Sequence, residues 1–348
     1  MICIYDHNSH NLKIMVSSVS LTQPNHFPTA RCASVSVDLD NEWAYLKTQG
    51  REEWKSFPGY LPTVVPRILE LLRAMDQKIT FFVVGRDALS SENSNALSAI
   101  ARAGHEVGNH SFLHEPWLHL YDQKELERDF DQSEAAIEHA TGSRPLGFRG
   151  PGFSTSAAVR GLLRHRGYQY DSSMFPTAMG PVARTYFMLR SNLSPEEKKK
   201  RSGLYGGFSD AIRTLHPYEI EPGLMEVPVT TMPLTRLPVH LSYLLFLAQY
   251  SDGLARLYWR TAVTLCRIQG VAPTLLLHPT DFLDSTDVPR MNFFPAMGIP
   301  AARKISLVRF AISQLQKHWT TGTVAAHARA SVPSRSHSLK TQLIETNI

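Results

Sequence analysis

Cysteine is scarce in this sequence. The 348 residues include only three cysteines, Cys3, Cys32 and Cys266, and these lie far apart along the chain. No two of them form a CxxC pair, so neither a disulfide framework nor a thiolate zinc site is indicated. A reducing compartment fits this pattern best, and we expect a cytoplasmic protein.

Long apolar runs are also missing. The longest, residues 241–248, is far shorter than the roughly 18 residues that a membrane-spanning helix needs. Residues 1–29 lack the basic stretch and the apolar stretch of a secretory signal, because Asp6 and other polar residues interrupt them. We therefore expect a soluble protein, and we leave open a peripheral contact with the inner face of the membrane.

The chain has no strong excess of charge of one sign. Its formal net charge of +5 is modest for its length, and no basic stripe carries interleaved aromatic residues. A nucleic-acid partner is therefore disfavoured. The apolar fraction of 43% still allows a large core, and the length allows one large α/β domain or two small ones. The sequence does not indicate an oligomeric state.

Strand and helix patterns alternate through most of the chain. Short apolar strands are predicted over residues 34–39, 79–84, 105–110, 145–149, 168–171, 226–229 and 274–278. Helical periodicity is found over residues 62–75, 95–103, 123–141, 156–166, 241–268 and 301–318. This alternation predicts an α/β fold with a parallel sheet covered by helices. Because polar motifs recur at the strand ends, we expect a closed or nearly closed barrel with its site at the C-terminal rim.

The predicted barrel has distinct flanking segments. We expect a flexible N-terminal lead-in over residues 1–30, a single barrel domain over 31–319, and a disordered, polar tail over 320–348. The alternation of strand and helix patterns stops over about residues 180–222, and we interpret this segment as an insertion over the barrel mouth. Its basic run, residues 198–201, is interpreted as a solvated face, with a docking patch for phosphate or anionic lipid as the alternative.

Two aspartates end the first strand. In the run Ser34-Val-Ser-Val-Asp38-Leu-Asp40, alternation places Asp38 and Asp40 on the same face, two residues apart. Neighbouring carboxylates repel each other, so a metal ion, a cationic partner or a shared proton should compensate them. The alternative is an ordinary solvated strand end.

Two histidines follow the third strand. His110 and His114 are spaced i and i+4, and in one helical turn both imidazoles would project to one side. Two His and one Asp make the three-ligand open site of a hydrolytic metal, with Asp40 or Asp38 as the third ligand and the other carboxylate as general base. A purely structural pair of histidines is the alternative.

Three further strand ends carry candidate residues. Arg149 precedes Gly-Pro-Gly-Phe, a turn whose backbone N–H groups suit an oxyanion hole, although a plain turn with a surface arginine has the same sequence. Asp171 starts Asp-Ser-Ser and is a site candidate or a simple turn cap. His278 follows three leucines and is either a satisfied core residue or a general acid whose tautomer a carboxylate must fix.

Taken in order, these motifs resemble the five motifs of NodB-type polysaccharide deacetylases, carbohydrate esterase family four. The resemblance covers about residues 34–280 and implies a distorted (β/α) barrel of about seven strands. It implies a divalent metal ion, most commonly zinc, and hydrolysis of an N-acyl group, usually acetyl, from an amino sugar of a glycan or glycolipid. The metal ligands would be Asp40, His110 and His114.

The resemblance also implies roles for the other residues. Asp38 would be the general base, oriented by Arg149, and His278 would be the general acid, fixed by Asp171. The oxyanion and the substrate would lie against Gly152, Phe153 and Ser173.

The sequence departs from the family pattern at three points. Leu39 separates the two aspartates, as in a sub-branch with an Asp-x-Asp motif, and Glu42 is a third candidate ligand. Gly152 stands where an aromatic residue is usual, with Phe153 one step later. Because no secretion signal is evident, a lipid-linked sugar deacylated or deformylated at the inner membrane face is the alternative substrate. A ureide hydrolase and a non-catalytic glycan-binding barrel are two further functions that this type of fold allows.

Overall fold

The computed structural model describes residues 32–180 and 211–332. Nine strands in these ranges form one sheet: β1 (Cys32–Asp38), β2 (Thr80–Val83), β3 (Glu106–Asn109), β4 (Gly147–Phe148), β5 (Tyr170–Asp171), β6 (Tyr218–Glu221), β7 (Leu224–Glu226), β8 (Thr274–Leu277) and β9 (Thr320–Gly322). Their order is β6-β7-β5-β4-β3-β2-β1-β8, and β9 pairs with β1. Only the β6–β7 pair is antiparallel.

Strand β1 is buried along its whole length and pairs with β2, β8 and β9. Its alternating side chains separate into two environments, as the period of two requires. Val35, Val37 and Leu39 join the main hydrophobic core. Ser36 and Asp38 lie on the other face, where both contact the Arg149 side chain. The alternation seen in the sequence therefore places Asp38 inside the ring of strands.

The sheet curls until its ends meet. In the segment after β7, the Thr230 N–H donates to Thr274 O at 3.3 Å, and the Thr274 N–H donates to Thr230 Oγ1 at 2.7 Å. These two hydrogen bonds join the ends without a regular ladder, which makes the barrel distorted. The predicted fold class is confirmed, with nine strands among the described residues where about seven were expected.

Most of the helices in the described ranges cover the outer face of the sheet. The helices are α1 (Glu42–Thr48), α2 (Leu61–Ala74), α3 (Gly85–Ala88), α4 (Ser94–Arg102), α5 (Gln123–Thr141), α6 (Ala157–His165), α7 (Leu241–Ala248), α8 (Asp252–Ile268), α9 (Ala301–Gln316) and α10 (Val324–Ser331). The apolar faces of α2, α4, α7, α8 and α9 pack on β1, β2 and β8 in one large core. In the described part of the chain, no helix has both the length and the apolar character needed to cross a bilayer.

The predicted long helix over residues 241–268 is wrong. The chain forms two helices there, and α7 ends at Ala248 while α8 begins at Asp252. Ser251 caps α8, because its Oγ accepts the Leu254 N–H at 3.3 Å. The break falls on the polar run Ser251-Asp-Gly, an N-cap signal that the prediction of one continuous helix overlooked.

The predicted disorder of the tail is wrong for residues 320–331, which form β9 and α10. Val324 and Ala328 of α10 are buried. The Nδ1 atom of His327, in the same helix, lies 3.1 Å from Ser34 Oγ. Thr323 caps α10 by accepting the Ala326 N–H at 3.2 Å. The short apolar face of α10 packs against Phe82 and Tyr170, so this helix covers the barrel interior near the start of β1.

Two other predicted segments lie largely outside the described residues. These are the lead-in over residues 1–30 and residues 181–210 of the predicted insertion, including the basic run 198–201. The last part of the insertion is described, and it contributes β6, which pairs with β7.

Candidate functional site

The predicted site residues gather at the C-terminal rim of neighbouring strands. Val37 is paired with Leu277 in the parallel register of β1 and β8. Asp38 and His278 directly follow these two residues, so they emerge side by side from strands that are about 4.8 Å apart. Asn109 ends β3, next to β2, and His110 follows it. The fold therefore brings three separated motifs to one edge.

Asp40, His110 and His114 form a cluster that could hold a metal ion. One potential ligand atom from each residue lies within 4.8 Å of the others. The Asp40 Oδ1 atom is 3.0 Å from His114 Nε2 and 3.4 Å from His110 Nε2. Among the described residues, Asp40 Oδ1 is buried and makes no hydrogen bond of good geometry. An orphaned carboxylate oxygen facing two imidazole nitrogens is the donor arrangement that a divalent cation satisfies.

The orientation of the His110 ring is fixed by a contact with the backbone of Arg149. Its Nδ1 atom lies 2.6 Å from the backbone oxygen of Arg149. Because a carbonyl oxygen can only accept, Nδ1 carries the hydrogen and Nε2 presents its lone pair to the cluster. Burial raises the pKa of Asp40, but the neighbouring imidazoles of His114 and His110 outweigh that effect and hold the pKa well below its ordinary value.

The two histidines do not lie on a helical turn, so that part of the prediction is wrong. Residues 110–114 form a loop in which Ser111 has a φ of 62° and His114 a φ of 49°. Asp129 of α5 fixes this loop, because its carboxylate oxygens accept the Phe112 N–H at 3.0 and 3.1 Å. Burial raises the pKa of Asp129 to about 7.

Asp38 is paired with a buried arginine. Arg149 Nη1 donates to Asp38 Oδ1 at 2.6 Å and to Ser36 Oγ at 2.8 Å, and the guanidinium also donates to Ser172 O and Oγ. The Asp38 Oδ2 atom is not used by Arg149 and lies 3.9 Å from His110 Nε2. Asp40 is thus closer to the imidazoles than Asp38 is.

Glu42 is not part of this cluster. Both of its carboxylate oxygens accept from Arg290, at 2.7 and 3.1 Å. Tyr60 instead helps to fix the backbone of Asp40, because its hydroxyl donates to the Asp40 backbone oxygen at 2.7 Å.

The turn after Arg149 has little freedom. A Cβ atom on Gly150 would lie 1.9 Å from Ser154 O, so only glycine fits. Gly152 and Phe153 both have positive φ, at 58° and 64°. The Phe153 N–H donates to Gly150 O at 2.9 Å, and the Phe153 ring stacks on another aromatic ring, that of Phe175, at 4.6 Å.

The hydrogen bonds of Asp171 support the turn after Arg149 and do not involve His278. Its carboxylate accepts from the Ser173 N–H and hydroxyl, and Ser173 Oγ in turn accepts the Gly150 N–H at 2.8 Å. Thr155 donates to the other carboxylate oxygen. Burial raises the pKa of Asp171 to about 6. Within residues 32–180 and 211–332 no hydrogen bond joins Asp171 to His278, so the expected pairing of these two residues is wrong.

His278 has a different carboxylate beside it. Its backbone N–H donates to Asp281 Oδ2 at 2.8 Å, and its Nδ1 atom lies 3.5 Å from Ser242 Oγ. Burial raises the pKa of Asp281 to about 6, and the nearby His278 opposes this rise. Asp281 was missed in the sequence, although the run His-Pro-Thr-Asp with its turn-forming proline could have indicated it. Asp129 and His240 were also missed, and neither belongs to a recognisable motif.

The sequence of this chain is similar to those of known deacetylases. The sequence model of the polysaccharide deacetylase family matches residues 55–170. A peptidoglycan-N-acetylglucosamine deacetylase of Bacillus cereus is 33% identical over 31% of this chain and 49% of its own length. A peptidoglycan deacetylase of Helicobacter pylori is 30% identical over 42% of this chain and 50% of its own length.

A peptidoglycan deacetylase-like protein of Gibberella zeae is 27% identical over 52% of this chain and 54% of its own length. The chain thus spans about half the length of the curated relatives it matches. Among solved structures, a protein of Mycobacterium smegmatis assigned to the polysaccharide deacetylases has a TM-score of 0.56 and 24% identity, and the match covers 86% of this chain and 91% of that one. That likeness supports the fold.

Proposed function

We propose that the chain is a member of the polysaccharide deacetylase family and a metal-dependent hydrolase that removes an N-acyl group, acetyl in the first instance, from an amino sugar of a glycan or glycoconjugate, as its similarity to that family and to named deacetylases suggests. One observation carries the proposal. A three-residue ligand cluster lies beside an Asp38–Arg149 ion pair, and His278 emerges from the adjacent strand. Nucleophile activation and leaving-group protonation need these groups at one rim.

The donor set of one carboxylate and two imidazoles suits a divalent transition metal, and we propose zinc. Asp40, His110 and His114 would hold it. When bound, the ion would supply a Lewis acid for the amide oxygen and a water molecule of lowered pKa.

The protein groups divide the proton transfers between them. Arg149 occupies Asp38 Oδ1 and leaves Oδ2 to accept the proton of the attacking water. His278 would then protonate the nitrogen of the departing amino sugar, so that acid and amine leave as separate products. The Gly152 N–H is the proposed donor to the oxyanion, and Asp171 supports that turn through Ser173.

Exposed apolar side chains on α7, on α8 and in the turn between them favour a second candidate, a lipid-linked amino sugar. Phe246 is 50% exposed, Tyr250 74%, Leu254 46% and Leu257 61%. A surface of this kind can contact an acyl chain or a membrane. Because this affects only where the sugar is presented, the chemistry of the rim would be the same for both candidates.

The test is release of the carboxylic acid from acetylated and formylated amino sugars, each supplied free, as an oligomer and linked to a lipid. We expect release by the purified protein with about one metal ion per chain, and loss of both activity and metal after chelation. His110→Ala should reduce activity by more than about 100-fold and abolish metal retention. His139→Ala, on the exposed face of α5, is the matched control and should change neither. Full activity of His110→Ala after chelation would contradict the metal mechanism.

A further inference from the structure

His240 lies in the wall of the site but has no role in the proposed mechanism. It precedes α7, and its ring centroid is 5.9 Å from that of His278. The ring also packs against Phe175 at 5.7 Å and edge-on against Tyr243 at 4.6 Å. Phe175 in turn stacks on Phe153 of the turn after Arg149, residues 150–154, which we call the glycine turn. His240 therefore stands between the candidate general acid and the aromatic side of the rim.

The two ring nitrogens of His240 have different surroundings. Nδ1 is buried and has no hydrogen-bond partner in the described part of the chain. The residue as a whole is partly exposed, and Nε2 is neither hydrogen-bonded nor fully buried among the described residues, so we infer that Nε2 is the nitrogen that faces the rim. Orphaned buried N–H groups are rarer in folded proteins than orphaned buried acceptors. The hydrogen of the neutral ring is therefore assigned to Nε2, which makes His240 a hydrogen-bond donor at the rim.

The surroundings keep this ring uncharged. Burial lowers the pKa of His240 well below its ordinary value, and the nearby His278 and Arg149 lower it further. A cationic imidazole would attract a carboxylate or phosphate group, whereas a neutral one suits a hydroxyl or carbonyl oxygen. The group that His240 contacts should therefore be a neutral oxygen.

We propose that His240 is a substrate-binding residue that donates from Nε2 to a neutral hydroxyl oxygen of the amino sugar, next to the amide that is cleaved. This inference rests on the proposed function and adds a determinant of specificity for the sugar. A site built to bond a hydroxyl discriminates against substrates that lack it, because its own polar group is then left unpaired. His240 should therefore matter for sugars and not for simple amides.

The experiment compares two substrates in His240→Phe, which keeps an aromatic ring between Phe175 and Tyr243. We expect kcat/KM for an N-acetylglucosamine oligomer to fall about 3- to 30-fold. Hydrolysis of 4-nitroacetanilide, an acetamide without hydroxyl groups, should stay within about 2-fold of wild type because the reacting groups are untouched. His240→Gln keeps an N–H donor and should recover part of the loss. Tyr243→Phe removes the neighbouring hydroxyl and is the matched control, expected to behave as wild type on both substrates.

The outcomes separate this inference from the proposed function. Equal losses on both substrates in His240→Phe would show an effect on the reacting groups or on folding and would overturn the inference. Wild-type rates on the oligomer in His240→Phe would also overturn it while leaving the hydrolase intact. If the wild-type protein released no acid from any acetamide, the proposed function would fail and the inference would fail with it.

Discussion

Replacing Arg149 should reveal how strongly the site depends on a buried ion pair. The guanidinium is completely buried, and it donates to Asp38, Ser36 and Ser172. It also lies 4.3 Å from the centroid of the Phe82 ring. Arg149→Met would leave the Asp38 carboxylate, 5% exposed, without its cation. Breaking a buried pair from one side in this way costs about 3–5 kcal/mol of stability.

Replacing Asp38, alone and together with Arg149, isolates the interaction energy of the ion pair. In Asp38→Asn the buried Arg149 cation loses its counter-charge, but the amide oxygen can still accept from it, so we expect a loss near the lower end of the range for Arg149→Met, about 3 kcal/mol. In the double variant neither unpaired charge remains, and the total loss should be smaller than the sum of the two single losses by about 1–3 kcal/mol. Each variant should lose hydrolytic activity, because Asp38 is either absent or no longer oriented.

The assay is urea-induced unfolding of the four proteins after chelation, so that metal binding does not contribute to the free energy of unfolding. Arg67→Met is the control, since Arg67 pairs with Asp287 at 2.7 Å near the surface. It should change the free energy of unfolding by no more than about 1 kcal/mol. Strictly additive losses in the double variant would refute the coupling, and a loss below about 1 kcal/mol in Arg149→Met would refute the burial argument.

Two further predictions concern the loops that carry the site. Because burial raises the pKa of Asp129 from 3.8 to about 7, the folded protein keeps a proton that the unfolded chain loses within that window. Stability should therefore fall as pH rises from about 4 to about 7, by at most about 1.4 kcal/mol per unit, and Asp129→Asn should remove this contribution in unfolding titrations. An unchanged pH slope would contradict it. Gly150→Ala should lower activity at least about 10-fold with the metal content preserved, since the added Cβ would lie 1.9 Å from Ser154 O. In Gly161→Ala of α6, where a Cβ meets nothing within 4 Å, activity should be unchanged, and equal activity of both variants would show that the turn is not needed.

Much of the fold follows from the sequence because the strands are short, apolar and regularly interrupted by helices. The Ser-Val-Ser-Val alternation correctly separates Val35 and Val37, in the main core, from Asp38 inside the barrel. Parallel strands bring their carboxyl ends to one edge, so motifs far apart in the chain meet there. The order of the motifs is thus sufficient to predict which residues gather, without knowledge of any distance.

The backbone between the two histidines could not be predicted in the same way. An i, i+4 spacing is compatible with a helical turn and with an irregular loop. Ser111 and His114 adopt positive φ values without being glycine, so no residue type indicates the loop conformation. The loop is held by a hydrogen bond from the Phe112 N–H to the Asp129 carboxylate, and Asp129 belongs to a helix that follows later in the sequence. Tertiary contacts of this kind leave no local pattern.

The roles of the two remaining carboxylates show why a motif alone does not assign a partner. Asp171 ends β5 and His278 follows β8, two strands that are not neighbours in the sheet, and Asp171 already accepts from Ser173. Asp281 lies three residues after His278 in the same turn and accepts its N–H. A buried carboxylate is stabilised by the donors nearest to it, which are Ser173 for Asp171 and the His278 N–H for Asp281. Ser173 in turn accepts the Gly150 N–H, so Asp171 supports the glycine turn indirectly, and the site depends on two separate supports in place of one Asp–His pair.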